Sequence, residues 1–546
     1  MKKFFVLAFI AASACLMTNA QTRRPNPATR TTQAKPAQPR PTPTPGRPIV
    51  VAHDGDLTPE QLKARAEAET ARLQASASMA LECACEGEPL PEVVAVVNGV
   101  RITRQEVDSR IEPQLAELRK TVTEARAREL DLQINSKVLD AEAKKRGKTT
   151  NKLLEEEIVS KVTEPTEAEA QKFYNENKAR INVEFSAAKA DIISYLRDQR
   201  QREMAKQFAD RLRVAAAVKV NAPRATPPAN AAERARVFAV VNSEQLTSAH
   251  IEDALKPLIF SVQQRIYQLR KTEVDLRIND VLLEQEAQKR KITTKALLDA
   301  EVEAKARPVT DAEAQTFYEQ NKQRINGEFA ELKPQLVQYL QETQKRDLQS
   351  AFADQLRKAA ALQVNLPAPE SPVLQIATDD QPAKGNPSAP VTIVEFTDFQ
   401  CPSCAGAHPV LEKLVAEYGE RVRLVVRDFP LEQHEFAPKA AEAAEAARAQ
   451  GKYWEYAGLL FANQKALSVD KLKEYATQVG LDRQKFDAAL DSGQMAEKVQ
   501  RDLMDGIRLG VSSTPSFFVN GRIANDRTYE GLKAAIEKAL GEKGKK

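Results

Sequence analysis

The sequence predicts a multidomain protein in which two mainly α-helical modules precede one α/β domain with a helical insertion. Two observations lead to this prediction. Motifs in the middle of the chain recur at a constant spacing, and a Cys-x-x-Cys motif near the end lies between a strand pattern and a helix pattern. The 546 residues are enough for three or four domains of roughly 150 residues each. Hydrophobic residues make up 42% of the chain and charged residues 29%, which is ordinary for soluble helical proteins.

The first 20 residues have the pattern of a secretory signal peptide, so residues 1–20 are predicted to be removed on export. Lys2 and Lys3 precede an apolar run, Phe4–Ala14, which is too short to span a bilayer. An alternative interpretation makes Cys15 a lipid-modified N-terminus, because small residues precede it. In both cases the mature protein is expected in the periplasm, an oxidising compartment where disulfide exchange is chemically reasonable.

Residues 21–50 are rich in proline and are predicted to form a disordered linker, because such a chain buries too little apolar surface to offset its conformational entropy. Residues 51–92 are predicted to be a helical segment that includes a Cys-Ala-Cys motif, Cys83 and Cys85. A disulfide between cysteines one residue apart is strained and easily reduced. The pair is therefore a redox relay for the C-terminal cysteines, a bridge to another chain, or without function.

The middle of the chain contains two copies of one unit, at 93–221 and 237–366, joined by a linker at 222–236. Val96-Val97-Asn98 in the first copy recurs as Val240-Val241-Asn242 in the second, 144 residues later. The same spacing relates Asp131-Leu132 to Asp275-Leu276, Phe173-Tyr174 to Phe317-Tyr318, and Val220-Asn221 to Val364-Asn365. One unbroken spacing over the whole unit indicates a duplication.

Each copy is predicted to be helical between two short strands. In the first copy the strands are Val93–Val97 and Ala217–Val220, and these two are predicted to pair with each other. Apolar residues at multiples of four define one helix face, and threonine three residues before glutamate has the spacing of a capping box. The face residues are Leu196, Met204, Phe208 and Leu212 with Leu340, Leu348, Phe352 and Leu356, and the capping pairs are Thr166 with Glu169 and Thr310 with Glu313.

The run Val94-Ala95-Val96-Val97-Asn98-Gly99, followed by a long helix and then by Thr166, Glu169 and Tyr174, resembles the N-terminal chaperone domain of the SurA-type periplasmic folding factors. The second copy is similar, with Ser243 in place of Gly99. The resemblance implies that both modules hold unfolded polypeptide, and the alternative is that they are spacers or dimerisation elements. No Gly-rich parvulin segment follows either copy, so prolyl isomerase activity is not implied.

After a proline-rich linker at 367–386, a compact strand pattern, Val391–Phe396, leads into Cys401-Pro402-Ser403-Cys404 and then into a helix pattern. Cys401 would lie at the start of that helix, where unpaired backbone amides and the helix dipole favour the thiolate. Cys404 lies one turn later, close enough to form a disulfide with Cys401. We therefore expect Cys401 to be an exposed nucleophile, Cys404 to resolve the mixed disulfide, and Pro402 to restrain the loop.

A Cys-x-x-Cys motif is also half of a zinc site, but such a site needs a second pair of ligands. His408 and His434 are poor candidates for that pair, and both are expected to be structural or solvated. The aromatic residues Tyr453, Trp454 and Tyr456 are expected to pack within a helical region. We therefore predict redox chemistry, with no metal and no cofactor other than the Cys401–Cys404 disulfide.

The C-terminal residues 387–546 contain four motifs, which are Glu395-Phe396-x-Asp398-Phe399-x-Cys401-Pro402-x-Cys404, Asp428-Phe429-Pro430-Leu431, Gly510-Val511-x-x-Thr514-Pro515-x-Phe517 and Val519-Asn520-Gly521. Together they resemble the DsbA-like branch of the thioredoxin superfamily. The resemblance implies a thioredoxin-like domain, with its helical insertion at about 432–505 and Cys401 and Cys404 as its catalytic residues.

The same resemblance implies supporting residues around the cysteines. In that family the proline of the Thr-Pro step is cis and lies against the active-site disulfide, so Thr514–Pro515 is expected to be cis with its backbone available to an extended substrate. Glu395 matches a buried acid for which a proton-accepting role is expected, the alternative being an ordinary strand-end carboxylate. Ser403 stands where the strongest oxidases have His, so strongly oxidising behaviour is not implied.

The sequence therefore predicts an exported thiol–disulfide oxidoreductase whose clients are unfolded or cysteine-containing polypeptides. A second partner, in the membrane or in solution, would recycle the Cys401–Cys404 pair. The 80 Lys and Arg residues nearly balance the 76 Asp and Glu residues, so a nucleic-acid partner is not expected. The alternative is a periplasmic chaperone or assembly scaffold in which the redox domain is secondary. The direction of electron flow stays open, since it depends on the reduction potential.

Overall fold

The computed structural model describes residues 83–87, 89–181, 183–222, 225–322 and 324–543. The predicted signal peptide at 1–20, including Cys15, lies outside the described residues, as do the proline-rich linker at 21–50 and residues 51–82 of the helical segment. Those assignments stay predictions. None of the helices in the described ranges is long and apolar enough to cross a membrane.

The described residues form two compact units. One consists of residues 122–259 and 371–543, and the other of residues 83–121 and 260–370. Each unit therefore takes residues from both copies of the repeat.

The two copies contain the same succession of helices. In the first copy these are α1 (Arg104–Lys145), α2 (Thr150–Glu157), α3 (Glu167–Glu176) and α4 (Phe185–Ala215), and in the second copy α5 (Ser248–Arg290), α6 (Thr294–Leu298), α7 (Asp311–Asn321) and α8 (Phe329–Ala359). Both predicted capping boxes are present, since the hydroxyls of Thr166 and Thr310 each accept the backbone N–H of the glutamate three residues later at 3.3 Å. Phe208 and Phe352, on the predicted faces, are both buried.

Two small antiparallel sheets accompany these helices. The first contains β1 (Val93–Val97), β2 (Val100–Thr103) and β6 (Leu362–Val364) in the order β2-β1-β6. The second contains β3 (Val218–Val220), β4 (Val237–Val241) and β5 (Glu244–Thr247) in the order β3-β4-β5. Val96 lies opposite Gln363, and Lys219 lies opposite Val240. The prediction that the two end strands of one copy pair with each other is therefore wrong, because each sheet combines strands from both copies.

The connections between the strands explain this exchange. Only residues 221–236 separate β3 from β4, whereas β1 ends at Val97 and β3 begins at Val218. Closing a short loop costs less conformational entropy than closing a long one, so β3 pairs with the hairpin that follows it. β1 is then completed by β6, the remaining closing strand.

The C-terminal domain is built on a five-stranded sheet in the order β11-β10-β8-β9-β7. Its strands are β7 (Ala383–Gly385), β8 (Val391–Thr397), β9 (Val422–Asp428), β10 (Ser516–Val519) and β11 (Arg522–Ala524). β8 and β9 are parallel and are connected by α9 (Pro402–Tyr418), while the other pairs are antiparallel. β7 falls inside the segment predicted as a linker at 367–386, and its pairing with β9 makes it part of this domain.

The helical insertion lies between β9 and β10, as predicted. Its helices are α10 (Ala437–Arg448), α11 (Tyr453–Ala462), α12 (Val469–Gln478), α13 (Arg483–Ser492) and α14 (Ala496–Arg508), and α15 (Tyr529–Lys543) follows the sheet. Tyr453 and Tyr456 are buried in the core that the insertion shares with the sheet, and Trp454 packs against that core. The expected packing role of these three residues is confirmed.

Candidate active site

The Cys-x-x-Cys motif lies where β8 leads into α9. Cys401 is the N-cap residue of α9, and Pro402 is the first residue of the helix, where the fixed φ and missing N–H of proline are tolerated. The backbone N–H of Cys404 donates to the carbonyl oxygen of Cys401 at 3.1 Å, so both cysteines lie on the first turn. Both are free thiols in this structure.

The surroundings of the two thiols differ. Cys404 is fully buried, and burial together with the Glu395 carboxyl raises the pKa of the Cys404 thiol above its ordinary value. Cys404 is therefore protonated at neutral pH. Cys401 is only 7% exposed. The prediction that this cysteine is exposed is therefore wrong, because the residue is largely buried. Its thiol donates to the carbonyl oxygen of Thr514 at 3.5 Å, and this neighbouring loop limits its exposure.

The Thr514–Pro515 peptide bond is cis, which is the isomer that the resemblance implied. β10 begins at the next residue, Ser516, which lies opposite Phe396 of β8 in the sheet. This register holds the Thr-Pro step beside Cys401. The structure thus brings together five of the predicted site residues: Cys401, Pro402, Cys404, Thr514 and Pro515.

Glu395 lies on β8 and is 3% exposed, so it is not an ordinary solvated carboxylate. Its Oε1 is buried without a hydrogen-bond partner among the residues described. Burial raises the pKa of Glu395 to about 7, because the charged form loses hydration. The carboxyl can therefore accept or release a proton near neutral pH, next to the buried thiol of Cys404.

Asp398 is a site residue to which the sequence argument assigned no role, although it belongs to the motif around the cysteines. The Asp398 carboxyl accepts the backbone N–H of Gln400 at 2.7 Å and that of Leu431 at 2.8 Å. The same carboxyl lies 2.8 Å from His434 Nδ1. Asp398 thereby connects the loop before Cys401 to the segment after β9. His434 was expected to be either structural or solvated, and its contact with Asp398 gives it a structural role.

His408 is also structural. Its ring packs on Phe461 with centroids 5.1 Å apart, and burial lowers the pKa of the imidazole. Across the described ranges, no three His, Cys, Asp or Glu side chains are grouped so that they could hold a metal ion.

Cys83 and Cys85 lie in the unit that contains residues 83–121. They are buried and joined to each other by a disulfide, which differs from the predicted bridge to another chain. Ala84 between them has a φ of +45°, in the left-handed region that is unfavourable for alanine. Glu86 then accepts a hydrogen bond from Arg270 at 2.5 Å. The relay hypothesis and the hypothesis of no function both stay open.

Comparison with known proteins finds a matching family for the C-terminal part of the chain. Residues 377–538 match a family model described as thioredoxin. The Na(+)/H(+) antiporter NhaA of Herminiimonas arsenicoxydans is 42% identical over 139 residues, which cover 26% of this chain and 22% of that protein. NhaA 3 of Salinispora tropica is 39% identical over 170 residues, which cover 31% of this chain and 26% of that protein. The chain thus spans about a quarter of the length of these curated relatives.

Solved structures are similar over the same share of the chain. Oxidised BdbD from Bacillus subtilis is 24% identical, with a TM-score of 0.29, and the alignment covers 32% of this chain and 100% of BdbD. A thioredoxin-like oxidoreductase from Silicibacter pomeroyi is 30% identical, with a TM-score of 0.27 and coverage of 30% and 94%. The sheet order, the cis-proline and the family match agree with one another. Residues 377–538 therefore form a thioredoxin-like domain with a helical insertion between β9 and β10.

Proposed function

We propose that this protein is an exported thiol–disulfide oxidoreductase that acts on cysteine-containing polypeptides through Cys401 and Cys404. The observation that supports the proposal most directly is the contact at 3.5 Å between Cys401 Sγ and the carbonyl oxygen of Thr514, next to the cis-proline. This contact places a cysteine at a helix start beside backbone that an extended client could pair with. The thioredoxin family match supports the same chemistry.

The proposed reaction has two exchange steps. The Cys401 thiolate attacks one sulfur of a client disulfide, the client S–S bond breaks, and the other client sulfur leaves as a thiolate. Cys404 then gives its proton to the Glu395 carboxylate and attacks Cys401 Sγ, which releases the second client thiolate and forms the Cys401–Cys404 disulfide. The client gains two electrons and the cysteine pair loses two. The reverse sequence oxidises a client dithiol, and a second redox partner would restore the pair in either direction.

The properties of each residue suit this sequence of steps. Cys401 is the N-cap residue of α9, so it lies beside the unpaired backbone N–H groups of the first turn. Cys404 stays protonated until the mixed disulfide forms, because burial raises its pKa. A proton acceptor is most effective when its pKa lies near the working pH, and the pKa of Glu395 is raised to about 7. The electrons are held by the cysteine pair, so the proposal requires no bound cofactor.

We also propose that the helical modules hold the client polypeptide, as their resemblance to SurA-type domains suggests. The ring of Tyr195 in the first copy packs at a tilt against Phe173 with centroids 5.2 Å apart, and that of Tyr339 in the second packs in the same way against Phe317 at 5.5 Å. Both tyrosines are about half exposed. Exposed aromatic surface of this kind can bind the apolar side chains of an unfolded chain.

A trapping experiment tests the redox proposal. The full chain with Cys404→Ser, mixed with a disulfide-bonded peptide, should accumulate a mixed disulfide through Cys401, because no second thiol is available to release the peptide. The Cys401→Ser variant should trap no peptide. The Cys404→Ser variant that also carries Cys83→Ser and Cys85→Ser is the matched control and should trap the peptide as Cys404→Ser alone does, because trapping requires only Cys401. Equal trapping by the Cys401→Ser and Cys404→Ser variants would contradict the proposal.

The scaffold alternative predicts a different outcome in cells. If holding clients is the main function, the Cys401→Ser variant should support the protein's cellular role as well as the wild type does. Loss of that role, with normal levels of the Cys401→Ser protein, would favour the enzyme.

A further inference from the structure

The helical insertion contacts the active site just after α11, and the reaction above does not use this contact. Gln464 lies two residues beyond the end of α11. Its Nε2 donates to the carbonyl oxygen of Cys401 at 2.8 Å and to that of Phe399 at 2.9 Å. The amide NH2 group has two hydrogens, so it can serve both carbonyls at once. One side chain of the insertion thus holds the backbone on both sides of Gln400.

A second side chain from the same helix end packs against the same segment. The ring of Phe461 lies 5.0 Å from the ring of Phe399, which precedes the cysteines, and 5.1 Å from the ring of His408, which follows them on α9. These are distances between ring centroids, and contacts in this range are favourable. The end of α11 therefore contacts the active-site segment through packing as well as through hydrogen bonds.

The Cys401 carbonyl that Gln464 contacts is the one that begins the hydrogen bonding of α9. This carbonyl accepts the backbone N–H of Cys404 at 3.1 Å and that of Ala405 at 3.2 Å, and the Gln464 amide is its third donor. Helix ends fray, so the helix alone fixes an N-cap residue less firmly than it fixes the residues inside it. The Gln464 amide therefore restrains the backbone of Cys401 where α9 restrains it least.

The segment after β9 holds the other flank of this loop, but at residues before Cys401. Asp398 accepts the backbone N–H of Gln400 at 2.7 Å, and Gln400 Oε1 accepts the backbone N–H of Phe436 at 2.8 Å. Within the part of the chain that the structure describes, Gln464 is the one side chain that donates a hydrogen bond to the backbone of Cys401 itself.

We propose that Gln464 is a positioning residue for the exchange reaction, and that it fixes the position from which Cys401 attacks a client disulfide. This proposal rests on the proposed thiol–disulfide exchange. The amide contacts backbone carbonyls and not the sulfur, so it acts through the backbone of Cys401. A displacement of about 1 Å can lower a reaction rate by about a hundredfold. The helical insertion would then contribute to the reaction as well as to the core.

Dithiodipyridine tests the proposal on the reduced full chain with Cys15→Ser, Cys83→Ser and Cys85→Ser, in which Cys401 and Cys404 are the remaining thiols. This chain is called the parent below. Release of the first thiopyridone reports attack by Cys401, and release of the second reports attack by Cys404 on the mixed disulfide. The reagent reacts with thiols at acid as well as at neutral pH.

Gln464→Leu removes both hydrogen bonds at similar side-chain volume, and should slow the first release about tenfold at every pH. Gln450→Leu is the matched control. Gln450 lies in the same insertion, and its amide also makes two hydrogen bonds to backbone, at 2.9 and 3.3 Å, both with Asp482. Gln450→Leu should leave both releases unchanged, because these contacts do not involve the active-site segment.

Gln464→Glu gives a readout that a loss of stability alone would not change. Near pH 7 its carboxylate cannot donate to the two carbonyl oxygens, so the first release should slow about tenfold. An ordinary glutamic acid has a pKa of about 4.3, so below about pH 4 the side chain is mostly protonated and its O–H donates again. The rate of Gln464→Glu relative to the parent at the same pH should then recover to within about threefold.

The Gln464→Leu variant should show no such recovery. Asp398, His408 and Lys465 are the other charged or titratable residues next to this segment, and they are present in every chain compared, so their effects cancel in the ratio. Circular dichroism at each pH verifies that the compared chains are folded.

The proposed role of Gln464 is wrong if both of its variants react like the parent near pH 7, or if Gln450→Leu slows the first release equally. A slowing of Gln464→Glu that is the same at both pH values would also overturn it, because the missing donor would not be the cause. Failure of the parent to release two thiopyridones would instead overturn the proposed function, because Cys401 and Cys404 would then form no disulfide.

Discussion

Arg126 of the first repeat copy and Glu252 of the second form a buried bidentate ion pair, with Nε to Oε1 at 2.6 Å and Nη2 to Oε2 at 3.1 Å. The repeat spacing relates this pair to Arg270 and Asp108, which lie in the other unit and form the equivalent contacts at 2.8 and 3.0 Å. In each pair the arginine and the acid come from different copies. The reciprocal exchange seen in the strands therefore extends into the helices.

The first prediction concerns Glu252. Glu252→Ala leaves the guanidinium of Arg126 buried without its acid, and removal of one partner of a buried pair costs about 3–5 kcal/mol. Urea unfolding should show a loss of that order. Glu244→Ala, which removes an exposed partner of Lys137 across the same two copies, is the control and should leave the free energy of unfolding essentially unchanged. Equal effects of the two substitutions would contradict the prediction.

The second prediction tests the strand exchange by cross-linking. Val96 and Gln363 are directly opposite in an antiparallel pair, a separation that suits a disulfide. In a chain with Cys401→Ser and Cys404→Ser, the Val96→Cys/Gln363→Cys pair should cross-link on mild oxidation. The Val96→Cys/Lys219→Cys pair, which joins the end strands of one copy, should not. Mass spectrometry of the linked peptides distinguishes these outcomes, and the opposite pattern would refute the exchange.

The third prediction concerns the order of thiol modification. In the reduced protein at neutral pH, iodoacetamide should modify Cys401 at least about tenfold faster than Cys404, because Cys404 is fully buried and burial raises the pKa of its thiol. Peptide mass spectrometry over time gives both rates. Denaturation with urea before alkylation is the control and should remove the difference. Comparable rates in the folded protein would show that the two thiols are not distinguished as described.

The fourth prediction concerns pH. Glu395 has an ordinary pKa of 4.5 and a pKa of about 7 in the folded protein. Between these values the folded chain binds more protons than the unfolded chain, so this group lowers stability as the pH rises through the window and has its full unfavourable effect above it. The difference corresponds to about 3 kcal/mol. The stability of Glu395→Gln relative to the wild type should rise by about that amount from about pH 4.5 to above about pH 7.

Denaturant unfolding of both proteins across this range measures the effect. A difference between the two proteins that stays constant with pH would show that Glu395 does not titrate in this window.

The sequence was sufficient to predict the features that depend on local chemistry. Cys401 at the helix start and the capping box of Thr166 and Glu169 follow from spacing along the chain, and the structure contains both. The packing of Tyr453 and Tyr456 follows from the helical pattern of the insertion, and is confirmed. These features are decided within a few residues.

Features that depend on distant parts of the chain could not be predicted in the same way. The two copies have nearly the same strand pattern, so the hydrophobic pattern alone does not predict whether β1 pairs with β6 or with β3. The lengths of the connections between the strands determine which strands pair. The contact between Asp398 and His434 depends on how the segment after β9 folds back. The surroundings of Asp428 depend on α10 and α14, whose charged residues give no sequence signal of burial. Long-range contacts of this kind become visible only in three dimensions.

The pairing of β1 with β6 constrains the order in which the chain can fold as it is made. Val93–Val97 emerges early, but its partner Leu362–Val364 is among the last segments of the repeats to be synthesised. Until then β1 and β2 form a two-stranded hairpin with an open edge, which is marginally stable and prone to pair with other chains. A protein truncated after the first copy should therefore aggregate, because this edge stays unpaired until translation has reached the final third of the chain.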